Sequence, residues 1–177
     1  MRQMRVSGQN DRLAAAHERL RRRYRPARVR MLFVGESPPA SGRFFYQADS
    51  GLYRAIQQTF LSALPDLKDT DFLQSFRNLD CYLVDLCGSP VDRLPPKQRR
   101  LACAHGETRL GSIIRRLNPE VIVTVVRSIR ANVQRAQARA KWQGASLELP
   151  YPGRWKEHRV AFERTLRPVL RRTLRRD

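Results

Sequence analysis

An α/β fold, a three-layer αβα sandwich around a four-stranded, mainly parallel sheet, is predicted by three observations on the 177-residue sequence. Four short apolar runs, at 29–34, 81–86, 120–126 and 146–149, are separated by stretches whose apolar residues recur at the helical period. The first three are continuously apolar, as strands covered on both faces are. Each run ends in proline, glycine or polar punctuation: "GESPP", "LCGSP", Arg127-Ser128 and "PYPGRW". These breaks fall on one edge of the sheet, where ligands of such folds bind.

The elements follow in order. Asn10 or Asp11 caps a first helix running to about Tyr24, with Leu13, Ala16, Leu20 and Tyr24 on one face. Arg19, Arg21, Arg22 and Arg23 form its other face, solvated or touching phosphate, and Pro26 ends it. The first strand follows and stops at Gly35. Ser50 caps a second helix over 51–64, whose Leu52, Ile56, Phe60 and Ala63 keep the 3.6 period. After the second strand a proline-rich loop leads into a helix over 96–117, with Leu110, Ile113, Ile114 and Leu117 inward. A break of that helix is expected near Gly106 or Gly111. Asn118-Pro119 turns the chain into "EVIVTVV", a basic helix covers 128–142, and a short strand covers 146–149. The closing helix, 156–176, buries Phe162, Leu166, Val169, Leu170 and Leu174. No internal repeat is visible. One domain over 1–177 is expected, with the basic helix of 1–28 packed on it.

The charge is lopsided: 35 Lys and Arg against 16 Asp and Glu give +19, and only Lys68, Lys97, Lys141 and Lys156 are lysines. Such a field gathers polyanions, although a solubility charge or an arginine-rich coding bias gives the same composition. Three cysteines at irregular places, with no signal peptide or long apolar run, point to a reduced, cytoplasmic chain without a membrane segment. Cys81, Cys87, Cys103 and His105 lack the close cysteine pairs of metal sites, so no metal and no cofactor is expected.

At the strand ends the sequence resembles the uracil-DNA glycosylase superfamily, most closely its thermostable iron-sulfur branch. That family's first strand ends Gly-Glu-Ala-Pro-Gly, and Gly35-Glu36-Ser37-Pro38 is similar. Its Gly-Arg-Pro-Phe is matched by Gly42-Arg43-Phe44-Phe45, its Thr-Asn-Val-Val-Lys-Cys by "LVDLCGSPVDRLPPKQRRLAC", and its Val-Ile-Val-Thr-Leu-Gly by residues 121–126. The likeness spans residues 29–170, carried by the order and spacing of the motifs together. Asp85 stands where the family's base-reading asparagine is found, and Tyr151-Pro152-Gly153 where its His-Pro-Ser motif is found. Cys87 and Cys103 keep that branch's cysteine interval, but the branch's two N-terminal cysteines have no counterpart, so its iron-sulfur cluster cannot be built.

The resemblance implies base excision from DNA, in which a nucleotide is turned out of the duplex into a pocket, stacked on aromatic faces and read at its edge. Glu36 is the candidate for orienting a hydrolytic water, or else a brace for the turn, and Ser37 occupies the position of the family's catalytic aspartate. Asp49 is the second candidate base, though Ser50 beside it reads as a helix cap. Gly35, Phe45, Asp85 and Tyr151 are the expected base-binding set; Phe44 reads equally as core. An ionised carboxylate only accepts hydrogen bonds, so Asp85 disfavours the carbonyl-rich edge of uracil and favours bases presenting N–H groups. Alternatively Asp85 pairs with an arginine such as Arg127. Arg43, Arg127, Arg130, Arg154 and Trp155 are the expected DNA contacts; Trp155 reads also as a helix-start anchor, and the arginines, with Arg135 and Arg139, as a solvated face.

Three readings result: a glycosylase of altered base preference, a silent nucleic-acid-binding relative, and a basic scaffold for another acidic partner. The expected partner is double-stranded DNA, with single strands as a second substrate. The expected state is a monomer in the cytoplasm, associated with the nucleoid.

Overall fold

The computed structural model describes residues 2–153 and 155–174, the side chains of 2–11 and 69 excepted. It is the expected three-layer sandwich. Strands β1 (Met31–Gly35), β2 (Cys81–Asp85), β3 (Val121–Thr124) and β4 (Ala145–Glu148) form one sheet in the order β2-β1-β3-β4, and every neighbouring pair is parallel. Residues of the first three are buried throughout, which is why their sequences run apolar without alternation. Edge strand β4 is more exposed.

Helix α1 is Arg2–Arg23, α2 Gly51–Ala63, α3 Phe72–Asn78, α4 Pro96–Leu117, α5 Arg130–Ala140 and α6 Lys156–Leu174. The chain leaves β1 towards one edge of the sheet and β2 towards the other. Right-handed connections therefore place α2 and α3 on one face and α4 on the opposite one. On the first face Phe33 of β1 meets Phe60 of α2 and Phe76 of α3, with ring centroids 6.1 and 5.4 Å apart. Helix α6 lies beside α2, where Ser62 Oγ donates to Glu163 Oε1 at 2.9 Å. On the second face α4 and α5 pack together around Glu107, which accepts from Asn132 and Arg135.

Four local expectations are corrected. Helix α1 begins ahead of the Asn10 or Asp11 cap, because Arg2–Gln9 contains no proline and Gly8 costs a helix only about 1 kcal/mol. Helix α3 was not expected; its signals are the Asp71 cap, which accepts from Gln74 N–H at 3.1 Å, and the spacing of Phe72, Leu73 and Phe76. Helix α4 does not break at Gly106 or Gly111. A Cβ at Gly106 would overlap the Leu86 carbonyl, and one at Gly111 would lie 3.1 Å from Ala136 O of α5. Both glycines serve close approach inside a continuous helix. Finally, Arg21 is buried, not on a solvated face.

The free edge of β2 is closed by the loop after β1. Tyr46 Oη donates to Leu83 O at 3.0 Å and accepts from Leu83 N–H at 2.8 Å, satisfying both outward backbone groups of that residue. Helix α1 covers this loop: Tyr24 stacks on Tyr46 and His17 on Phe44, with centroids 5.8 and 4.1 Å apart. Among the described residues, His17 Nε2 and Arg21 Nε are buried there without hydrogen-bond partners. Among the described residues no helix is long and apolar enough to cross a membrane.

Candidate functional site

A cavity of about 350 Å³ opens beyond the carboxyl ends of β1, β2 and β3. It sits where the connections from β1 and β3 diverge to opposite faces, the position at which parallel α/β sheets bind ligands. Gly35, Glu36, Ser37, Phe45, Asp85 and Tyr151 all line it, together with Phe44, Leu52, Val125 and Arg99. Residues from three strand ends and the loop after β4 thus share one hollow. A wider groove of about 1290 Å³ lies at the amino ends of the strands, beside Pro26, Leu64, Asp80 and Leu174. It holds none of the candidate catalytic, base-binding or DNA-binding residues, so the strand-end cavity is the candidate site.

Among the described residues, the polar floor holds one buried ion pair. Asp85 is 5 % exposed, and its Oδ2 accepts from Arg21 Nη2 of α1 at 2.8 Å. The alternative reading of Asp85 as the partner of an arginine holds, but not with Arg127, the example given, which is exposed on the loop after β3. Arg21 prevails because His17, Arg21 and Tyr24 recur at the helical period and turn that face inward. Arg109 donates to the backbone carbonyls of Asp85 and Leu86, bringing a second guanidinium to the strand end. Burial pushes the Asp85 carboxyl up, against the downward pull of Arg21 and Arg109.

Glu36 is gripped by Arg99 of α4, with Nε donating to Oε1 at 2.7 Å and Nη2 to Oε2. This fork fixes the carboxylate, and Oε2 keeps a further lone pair for water. Ser37 Oγ accepts from Val91 N–H at 3.2 Å, so its hydroxyl ties the loop after β1 to the loop after β2. Asp49 caps the turn by accepting from Phe44 N–H at 2.7 Å, and Ser50 caps α2 through Tyr53 N–H at 3.1 Å. The Cys87 and Cys103 sulfurs lie 3.8 Å apart, and Cys103 is 3.8 Å from Glu36 Oε1. Burial, and then Cys103, push the Cys87 thiol up to about 12, which leaves the pair protonated at neutral pH. Cys81 contacts Leu79 O instead, and among the described residues no cluster of His, Cys, Asp and Glu is placed to hold a metal ion.

The aromatic wall differs from expectation. Phe45 is only 3 % exposed and packs against Tyr46, Tyr53 and Phe76, so it borders the cavity as part of the core. Phe44 is core too, packed against His17 and the Arg21 guanidinium. Tyr151 stands at the cavity, 46 % exposed, and Trp155 is 65 % exposed at the start of α6. Trp155 is therefore no core anchor. Arg43, Arg127 and Arg130 are exposed on the loops and helix start at this end of the sheet; Arg154 lies outside the described residues. Arg21 and Arg99 were the residues missed from the sequence. The inward face of α1 was a legible signal for Arg21, whereas nothing separated Arg99 from Arg100 beside it.

No family model matches the chain, and no curated protein matches it.

Proposed function

We propose that the chain binds DNA through its arginine-rich strand-end face and receives an everted base, other than uracil, in the strand-end cavity, as a base-excising N-glycosyl hydrolase of the uracil-DNA glycosylase kind. The observation that carries this reading is the convergence of Gly35, Glu36, Phe45, Asp85 and Tyr151 on one hollow. Its volume, about 350 Å³, suits a single nucleobase, and the apolar Phe44, Phe45, Leu52 and Val125 surround a few polar groups. Eversion exposes the glycosidic bond, and Glu36, fixed by Arg99, is the group placed to orient the attacking water. Exposed Arg43, Arg127 and Arg130 are suited to the flanking phosphates, and Trp155 to the gap that the base leaves. The reading includes action as a monomer, without a cofactor, on nucleoid DNA in the cytoplasm.

A second reading is favoured by two specific contacts. Both Glu36 oxygens are engaged by Arg99, and Ser37 is engaged by the backbone of Val91. In that case the chain binds nucleic acid and cleaves nothing. Duplex and single-stranded oligonucleotides carrying uracil, hypoxanthine, xanthine or alkylated bases, scored for abasic sites, decide between the two. Abasic sites opposite a non-uracil lesion, lost in E36Q, support excision. Binding without any abasic product supports the silent reading, and a preference for uracil overturns the assignment of the base.

A further inference from the structure

Resting on the reading of the cavity as a nucleobase pocket, we infer that Arg21 of α1 sets which base edge the pocket accepts. By holding one oxygen of Asp85 and leaving the other bare, it selects rings with an exocyclic amino group over rings with a carbonyl in its place.

The geometry assigns the two oxygens different tasks. Asp85 Oδ2 is bound to Arg21 Nη2, while Arg21 Nη1 is anchored on Glu18 Oε2 at 2.7 Å. The guanidinium carbon lies 5.3 Å from the centroid of the Phe44 ring, so helix, ring and two carboxylates define its position. Asp85 Oδ1 accepts no hydrogen bond among the described residues, nor is it one of the sealed, unpartnered polar atoms. It lies over Gly35, which has no side chain to cover it, and both residues line the cavity. What the cavity offers at this point is a carboxylate oxygen whose lone pairs no protein donor takes. An amino group donates into it with charge assistance, whereas a carbonyl sets lone pair against lone pair and leaves both desolvated. Sites built to hydrogen-bond an N–H group reject analogues lacking it strongly.

The guanidinium is what keeps this oxygen an acceptor. Without it, a carboxyl in so buried a place takes up a proton and can donate to a carbonyl. Removing Arg21 therefore shifts preference in the same direction as replacing Asp85 by asparagine.

The test uses the full chain and two pairs of free bases that differ by this single exchange, cytosine with uracil and adenine with hypoxanthine. Binding is followed by saturation-transfer NMR, with circular dichroism of each variant as a check of fold. The wild-type protein is expected to bind the amino member at least about tenfold better, with R21M and D85N bringing the ratio to unity or below. E18Q, which weakens the half-exposed anchor of Arg21 together with an exposed pair to Arg22, covers the case in which R21M does not fold, and is expected to lower the ratio. Equal binding of both members by the wild type, or a wild-type ratio in folded R21M and E18Q, overturns the inference and leaves the pocket standing. Failure of the wild type to bind any of the four bases overturns the pocket reading, and the inference with it.

Discussion

The carboxylate of Asp85 occupies the space that a side chain at Gly35 would fill: a Cβ built on Gly35 lies 2.7 Å from Asp85 Oδ1. The two residues are direct partners across β1 and β2, so glycine at the end of one strand is the condition for a buried carboxylate at the end of the other.

Gly35→Ala tests this pairing. The methyl group must displace Asp85 from Arg21 or bend the strand end, a cost of about 1–3 kcal/mol. Urea unfolding is expected to show that loss, and base binding is expected to fall with it, because the bare oxygen is no longer held at the cavity wall.

Tyr46→Phe removes the hydroxyl that bridges both backbone groups of Leu83. Leaving these buried groups unpaired costs about 1–3 kcal/mol, measured by chemical unfolding. Tyr24→Phe, at a half-buried ring with no such bridge, is the control expected to change little.

Two glycines of α4 separate close approach from helix propensity. Alanine gains about 1 kcal/mol over glycine inside a helix. At Gly111 that gain nearly offsets the 3.1 Å approach to Ala136 O, so G111A is expected to be close to neutral. At Gly106 the new methyl overlaps the Leu86 carbonyl, and G106A is expected to lose about 2–4 kcal/mol in the same unfolding assay.

Glu107 supplies a pH signature. Hydrogen bonds from Arg135 hold its carboxyl below the ordinary value of 4.5, opposed by burial and aided by Asn132 and Arg139. A lowered folded value means stability that is present above the unfolded value and is lost as pH falls through the folded one. E107Q is therefore expected to be less stable than wild type at neutral pH. Unfolding curves taken from pH 7 to pH 3 are expected to show the two converging below about pH 4.5.

The DNA-binding part of the proposal is checked through salt. Each phosphate contact removed is expected to reduce the slope of log affinity against log salt by about 0.9. R43A, R127A and R130A are expected to do so without altering thermal stability, since all three side chains are exposed. Filter binding at graded ionic strength supplies the slopes; unchanged slopes in all three place the interface elsewhere.

The apolar runs at β1, β2 and β3 and the periodic faces of α2 and α6 were legible because helix and strand patterns repeat within a few residues, where local sterics and burial act. Parallel connectivity then placed the loops after Gly35, Asp85 and Thr124 at one end of the sheet, and with them the cavity. Which charge answers which was not legible. Arg21 meets Asp85 across 64 positions, Arg99 meets Glu36 across 63, and Tyr46 meets Leu83 across 37. A chain so rich in arginine offers many equivalent cations to each carboxylate, and only the packing of α1 and α4 against the sheet selects among them. The same holds for Phe45 and Gly106, whose spacing marked a ring face and a helix break. Tertiary contact made one of them core and the other the point at which a helix touches a strand end.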